Sequence, residues 1–248
     1  QTLKLVLADR IDWFVKGGDG VPVRINPPHG VAQALLHGQD HRLPVLNGLA
    51  RQPYYSDDGR YISQPGYDPD TGIYGAFDEA DYPLVEPTRE AAEEAKAYLF
   101  ALLTEFEFNS DADRAGALAA ILTATVRPSL RTAPAFNITA TGPGSGKSYL
   151  ADVITPFAGA EEPYRVSFPE KHDEASKLII SVLRERPSAV VFDDMQTNWK
   201  SLGPLNRALS SPTTTERLLR SNSTATVSTR MLFLGTGKLV YDIVESDW

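Results

Sequence analysis

The chain has 248 residues, with 32 acidic and 24 basic side chains and a formal net charge of -8. The absence of cysteine excludes disulfides, thiolate zinc sites and cysteine nucleophiles. The acidic balance argues against a basic coat around nucleic acid, so a nucleic-acid contact has to come from a local basic segment. Four histidines fall in no metal-ligand spacing and are assigned ordinary surface or packing roles: His29, His37, His41 and His172.

The length fits one large domain with a smaller neighbour. The sequence contains no apolar run approaching the roughly 18 residues that span a bilayer, so we expect a soluble, cytoplasmic protein with no membrane contact. Because the sequence begins at Gln1 and not at methionine, we also expect it to be part of a longer polypeptide.

Residues 1–86 are dense in proline, glycine, aspartate and tyrosine, which predicts a region of short strands and turns. Within it, the segment GYDPDTG places Asp68 and Asp70 two positions apart. This spacing is compatible with a cation loop. The turn formers Pro69 and Gly72 and the lack of a further run of ligands favour a tight turn.

The composition changes at Pro87, and residues 87–134 predict a helical region with two packed helices, one near 88–106 and one near 117–126. Residues 135–248 then alternate between strands and helices. The apolar runs FNITAT, AVVF and MLFLG predict strands separated by helices, and the whole indicates an α/β fold with a three-layer core.

A glycine-rich loop, TGPGSGKS, follows the first of these strands and precedes a helix. Bare glycine backbone lets N–H groups surround a phosphate, and the positive end of the helix dipole adds to the attraction. This pattern predicts a P-loop in which Lys147 binds the β and γ phosphates of ATP and Ser148 binds Mg²⁺. Thr141 departs from the strict consensus, which has glycine there. The predicted nucleotide-binding residues are Gly142, Pro143, Gly144, Ser145, Gly146, Lys147, Ser148 and Tyr149.

The run SAVVFDDM has four apolar residues followed by two carboxylates, as expected of a buried parallel strand that delivers acidic groups to the edge of the sheet beside the P-loop. We predict that Asp193 holds Mg²⁺, largely through water, and that Asp194 orients or activates the attacking water. Taken alone, such a strand end is equally typical of a helix cap.

The segment 216–238 predicts two strands around a turn at Ser221–Ser223, followed by a third strand that ends near Thr236. Three arginines and no acid lie from Arg217 through Arg230 in a chain that is acidic overall. An ordinary exposed hairpin explains this segment, and so does a contact with a phosphate backbone. At the end of the last strand, Thr236 and Lys238 are candidates either for a contact with the γ-phosphate or its water, or for structural roles.

Taken together, these segments resemble the helicase part of phage- and plasmid-encoded primase-helicases, which are similar to superfamily 3 helicases of the AAA+ class. The resemblance covers most of the chain and is carried by five stretches: residues 43–72, 106–134, the P-loop, 205–230 and 235–238. Lys238 stands where the family has a sensor asparagine, and Asp194 where it often has another polar residue.

The resemblance implies a homo-hexameric ring that hydrolyses ATP with Mg²⁺ and moves on DNA. It also implies that the hairpin faces the channel, where Arg217, Arg220, Ser221 and Asn222 would contact the DNA backbone. The arginine finger and C-terminal lid are expected beyond Trp248. Three alternatives remain open at this stage: a helicase-loading or protein-remodelling ATPase, a nucleotide-binding regulatory module with little turnover, and a small-molecule kinase.

Overall fold

The structure is a computed structural model that describes residues 2–37, 44–142, 144–159, 162–195, 202–217 and 224–238. The chain divides into two compact units, Gln1–Val45 and Leu46–Trp248. The boundaries expected near residues 86 and 134 rest on composition and stay predictions. No helix in the described ranges has the length and apolar character required to cross a bilayer.

The first unit contains two helices and one antiparallel strand pair, with the bounds α1 (Thr2–Arg10), β1 (Trp13–Lys16), β2 (Pro22–Ile25) and α2 (His29–His37). The sequence predicted only strands and turns here, so the prediction was wrong for both helices. The composition of the whole region concealed them, since α1 itself contains no proline or glycine, and α2 contains Gly30 and lies between Pro28 and Gly38.

The second unit begins with five short strands, β3 (Gly48–Ala50), β4 (Tyr54–Tyr55), β5 (Tyr61–Ile62), β6 (Gly66–Asp68) and β7 (Ile73–Gly75). The expected tight turn joins β6 to β7, and the N–H of Gly72 donates to the carbonyl of Asp68 at 2.8 Å. Arg60 binds Asp68 at 3.2 Å and Asp70 at 3.0 Å, so both carboxylates already have a cationic partner. The turn interpretation is confirmed.

Two helices follow, α3 (Arg89–Leu102) and α4 (Asp111–Val126). Each begins at a hydroxyl side chain that accepts a backbone N–H: Thr88 from Ala91 at 3.1 Å, and Ser110 from Asp113 at 3.2 Å. No residue within α3 is buried, whereas α4 buries the side that carries Ala117, Ala120, Ile121 and Ala124. The expected pair of helices is present, with α4 as the core helix.

The remaining elements build an α/β layer structure. Their bounds are β8 (Phe136–Ala140), α5 (Lys147–Ile154), β9 (Tyr164–Ser167), α6 (His172–Glu185), β10 (Ala189–Met195), α7 (Gly203–Ser210), β11 (Thr213–Arg217), β12 (Thr224–Ser228) and β13 (Leu232–Lys238). Four of the strands form a parallel sheet in the order β8-β13-β10-β9, and β11 and β12 pair separately as an antiparallel hairpin. The predicted strands, helices and hairpin are confirmed, but β9 was not predicted.

Side chains of the two central strands alternate between two cores. Ala189 and Val191 of β10 join a cluster with α4 and α5, whereas Val190 and Phe192 join a cluster with α6 and α7. A strand buried on both faces reads as a continuous apolar run, which is why the four apolar residues before Asp193 were recognisable. The sheet therefore lies between two helical layers, as the expected three-layer core requires.

One arginine connects α4 to the strand that carries the hairpin into the sheet. The side chain of Arg127 is buried and donates to three carbonyls: to Met231 at 2.9 Å, Thr229 at 2.9 Å and Leu130 at 2.8 Å. Burial, and secondarily the positive charge of Arg230, lower the pKa of Arg127 to about 10, so the side chain keeps its charge at neutral pH. Arg127 thus supplies donors to three backbone carbonyls, of which that of Thr229 also accepts from the N–H of Met231 at 2.8 Å.

Replacing Arg127 with methionine keeps the length of the side chain and removes its donors. Three charge-assisted hydrogen bonds are then lost, and we predict that the free energy of unfolding falls by about 3 kcal/mol or more. Arg131→Met is the matched control because Arg131 is exposed, and it should change stability by about 0.5 kcal/mol at most. Equilibrium denaturation with urea measures both. Equal stability of the two variants would contradict the role given to Arg127.

Candidate functional site

The glycine-rich loop connects β8 to α5 at the carboxyl edge of the parallel sheet, and the structure describes all of it except Pro143. Gly144 and Gly146 adopt the left-handed region, with φ of 74° and 80°. This is a conformation that a residue with a Cβ rarely takes. Gly146 is also the N-cap of α5 and contributes no side-chain hydrogen bond, so N–H groups of the first turn are available to an anion.

Lys147 folds back over this loop. Its ammonium group donates to the carbonyl of Gly142 and to the hydroxyl of Ser145, both at 3.1 Å. Ser145 in turn donates to the carbonyl of Gly142 at 2.9 Å. The cation therefore lies directly above the bare backbone of the loop, where an anion would contact the ammonium and the N–H groups together.

Asp193 lies at the centre of this edge, because three groups from different elements donate to its carboxylate. The hydroxyl of Ser148, at the start of α5, lies 3.1 Å from Oδ1. Arg165 of β9 donates to Oδ2 at 2.9 Å, and the buried hydroxyl of Thr236 of β13 donates to Oδ1. The structure thus brings together Ser148 and Asp193, the two residues predicted as metal ligands.

These contacts set the ionisation of Asp193. Burial alone would raise the pKa of its carboxyl, but hydrogen bonds from Thr236, Arg165 and Ser148 together outweigh that effect and lower the pKa below 3.8. Asp193 is therefore a carboxylate at neutral pH, as a ligand for a cation has to be.

The backbone changes direction immediately after Asp193. The pairing of β10 with β13 shifts register between Phe192 and Met195, and Asp194 has a φ of 50°. The N–H of Asp194 donates to the hydroxyl of Thr236 at 3.2 Å. Gly237 permits this bulge, because a Cβ there would lie 2.6 Å from the carbonyl oxygen of Met195. Asp193 lies inside β10, and the N-cap of the next helix in the described ranges is Leu202, so the helix-cap alternative does not apply to Asp193.

Thr236 and Lys238 have different surroundings. The hydroxyl of Thr236 is engaged by Asp193 and Asp194, which favours the structural alternative for this residue. Lys238 is exposed at the end of β13, and the sheet register pairs it with Ala140, two residues before Gly142. Its backbone thus lies beside the start of the glycine-rich loop.

Arg165 was missed by the sequence reasoning. It bridges Asp193 to Asp152 of α5, with its own side chain about one third exposed at 31%. The strand that carries it, YRVS, has only four residues and a single apolar valine beside the arginine. Nothing local marks such a segment as part of a sheet, because Arg165 pairs with Val191, 26 residues further along the chain.

Two aromatic rings lie next to the loop. Phe106 and Tyr149 stack with their centroids 5.7 Å apart and their planes inclined by 28°. The ring of Phe106 also approaches the Gly146 position, where a Cβ would lie 3.6 Å away. Tyr149 was predicted to contact the nucleotide, whereas Phe106 was not identified, since it lies 40 residues before Gly146 in the chain.

The predicted DNA-binding residues lie mostly outside the described part of the chain. Arg220, Ser221 and Asn222 are not described, and of Arg217 only the backbone is, as the last residue of β11. The third arginine of this segment, Arg230, donates to the carbonyl of Pro128 at 2.6 Å and to Asp57 at 3.2 Å. It therefore anchors the base of the hairpin and does not belong to its tip.

Comparison of the chain with protein-family models and with curated protein sequences gave no match.

The pKa of Asp193 offers a direct check of this geometry. Thr236→Val removes one donor while keeping the shape of the side chain, so we predict a higher pKa for Asp193. Because the folded pKa lies below 3.8, the stabilisation from this carboxylate is present above that pH and is lost as the pH falls through the lowered value. In Thr236→Val this loss should begin at a higher pH.

Titration of the Asp193 carboxyl carbon by NMR measures the shift. Thr139→Val is the control, since Thr139 is exposed on β8 and is not one of the groups that shift the pKa of Asp193. An Asp193 pKa that is the same in both variants would show that Thr236 does not set its ionisation.

Proposed function

We propose that this chain is a P-loop ATPase that binds Mg-ATP at the glycine-rich loop and uses its hydrolysis to move on DNA. The observation that carries the proposal is the position of the Asp193 carboxylate, 3.1 Å from the hydroxyl of Ser148 at the start of the helix that follows the loop. A nucleotide site of this class needs a phosphate cradle, a lysine, and a hydroxyl and a carboxylate for the metal.

The residues fit a nucleoside triphosphate. The left-handed glycines present backbone N–H groups, the N-terminus of α5 adds its dipole, and Lys147 lies over the loop. The stacked pair of Phe106 and Tyr149 provides an apolar surface beside the cradle for a base, with Tyr149 itself 64% exposed. The loop thus offers groups for both the charged and the apolar ends of ATP.

The residues also fit Mg²⁺. No group of three or more histidine or acidic side chains in the described ranges is arranged to hold a metal ion. Magnesium in nucleotide sites typically needs only one or two carboxylates, because phosphate oxygens and water complete its shell. Ser148 and Asp193 would supply the protein oxygens. When bound, the metal neutralises charge that develops on the transferred phosphoryl group.

Arg165 has a defined part in this proposal. Its guanidinium holds Oδ2 of Asp193, while Oδ1 faces the hydroxyl of Ser148. Oδ1 also accepts from the hydroxyl of Thr236 and from the N–H of Asp194, so the protein holds both carboxylate oxygens, and Oδ1, beside Ser148, is the one proposed to face the metal. Lys147 binds the phosphates, and Asp194, which follows Asp193 at the bulge, is the candidate to orient the attacking water.

The DNA part of the proposal rests on the arginines of the hairpin and on its connection to the nucleotide edge. The hairpin is followed directly by β13, which carries Thr236. We propose that a displacement of Thr236 at the nucleotide edge is transmitted along this strand to the hairpin. A homo-hexameric ring with Arg217, Arg220, Ser221 and Asn222 in its channel belongs to the same proposal. Turnover that single-stranded DNA does not stimulate would favour a loading or remodelling ATPase instead.

Lys147→Ala removes the side-chain cation of the loop. Loss of charge-assisted hydrogen bonds of about 1.5–3 kcal/mol predicts ATP affinity that is lower by roughly 10- to 100-fold. Calorimetric titration with ATP and Mg²⁺ measures the affinity. Lys171→Ala is the matched control, because Lys171 is exposed and its side chain makes no cap hydrogen bond. If both variants bind ATP as tightly as the wild type, the nucleotide does not bind at this loop.

A further inference from the structure

A cluster of basic residues lies at the amino edge of the parallel sheet, opposite the edge that carries the glycine-rich loop. A cavity of about 30 Å³ opens there and is lined by four arginines, Arg51, Arg127, Arg186 and Arg230, together with Ser188 and Ser228. Ser188 immediately precedes β10, whereas the glycine-rich loop follows the carboxyl end of β8. Since β10 has seven residues, about 20 Å of strand at roughly 3.3 Å per residue separates the two edges.

The charge of this cavity is poorly compensated. The only carboxylate paired with any of the four arginines in the described ranges is that of Asp57, 3.2 Å from Arg230. Three N–H groups of Arg127 donate to carbonyls, which leaves two of its five N–H groups without an acceptor among the residues that the structure describes. The charge of Arg230 helps to lower the pKa of Arg127, so these two cations lie close enough to repel each other, and a bound anion would offset that repulsion.

Arg186 stands at an unusual backbone position. It is the C-cap of α6 and has a φ of 53°, a left-handed conformation that favours glycine and disfavours residues with a Cβ. The chain thus keeps a long cationic side chain where glycine would be easier to accommodate.

We propose that these arginines bind a phosphate group, either free phosphate or one phosphate of a DNA backbone. The planar forks of arginine match the oxygens of phosphate, and the two serines add hydroxyl donors. At roughly 10–15 Å³ for each water, the cavity volume admits about two waters, which limits the occupant to one small oxyanion or to one group of a larger ligand. Binding of free phosphate is independent of the proposed ATPase function, whereas a DNA source rests on it.

The site also borders the base of the hairpin. Ser228 ends β12, and Arg230 lies between the hairpin and β13. An anion held here would add a contact next to the carbonyls of Thr229 and Met231 that Arg127 already binds. The cavity is therefore placed to restrain the position from which the hairpin leaves the core.

The test is calorimetric titration with inorganic phosphate at constant ionic strength, carried out in Lys147→Ala protein so that the glycine-rich loop contributes little. Adding Arg186→Gly should weaken phosphate binding about tenfold or more, since one charge-assisted contact is lost. Because glycine suits the left-handed backbone, this change should not lower thermal stability. Adding Arg184→Gln instead, at an exposed arginine of the same helix, should leave phosphate affinity unchanged.

Two outcomes would overturn the proposal: Lys147→Ala protein that does not bind phosphate, or phosphate affinity that Arg186→Gly leaves unchanged. A second titration in the presence of a single-stranded oligonucleotide separates the two sources. Displacement of phosphate by the oligonucleotide supports a DNA backbone as the ligand. Unaltered phosphate binding supports free phosphate at the same arginines. Neither result depends on whether the wild-type chain binds ATP, which is measured separately.

Discussion

The carboxyl edge of the parallel sheet is organised by the Asp193 carboxylate, which is partly buried and needs donors to stay ionised. Ser148, Arg165 and Thr236 supply them from α5, β9 and β13. Each donor comes from an element adjacent to β10 or from the helix after the glycine-rich loop, so the ionised state depends on the assembled sheet. Burial works against this arrangement and the hydrogen bonds outweigh it, which keeps the pKa of Asp193 low.

The two edges of the sheet hold opposite electrostatic arrangements. At the carboxyl edge a carboxylate is surrounded by donors beside a glycine-rich loop, and at the amino edge four arginines line one cavity, with Asp57 as the paired acid in the described ranges. β13 runs between the two edges and follows the hairpin directly. Arg127 binds the carbonyl of Met231 just before β13, and Thr236 near the end of β13 binds Asp193. Hydrogen bonds at both edges of the sheet therefore hold the same strand in place.

The sequence allowed prediction of those parts of the fold whose signal is local. Three features can each be recognised within about ten residues of sequence: the apolar run before Asp193, the glycine-rich loop and the hairpin. The missed parts depend on distant partners: the residues of β9 pair with residues of β10 that come 26 positions later, and Arg165 acquires its role only there. Arg127 likewise binds carbonyls about one hundred residues away, at separations of 102 and 104. Such contacts follow from tertiary structure and leave no periodic pattern.

The central claim is that Asp193 is a metal-binding carboxylate of an ATPase site. It is tested most directly by measuring Mg²⁺-dependent ATP turnover and ATP affinity in the wild type and in Asp193→Asn. A neutral amide holds hydrated Mg²⁺ poorly, so the account predicts that the variant binds ATP nearly as well as the wild type but loses Mg²⁺-dependent turnover. Equal Mg²⁺-dependent turnover in the two proteins would contradict it.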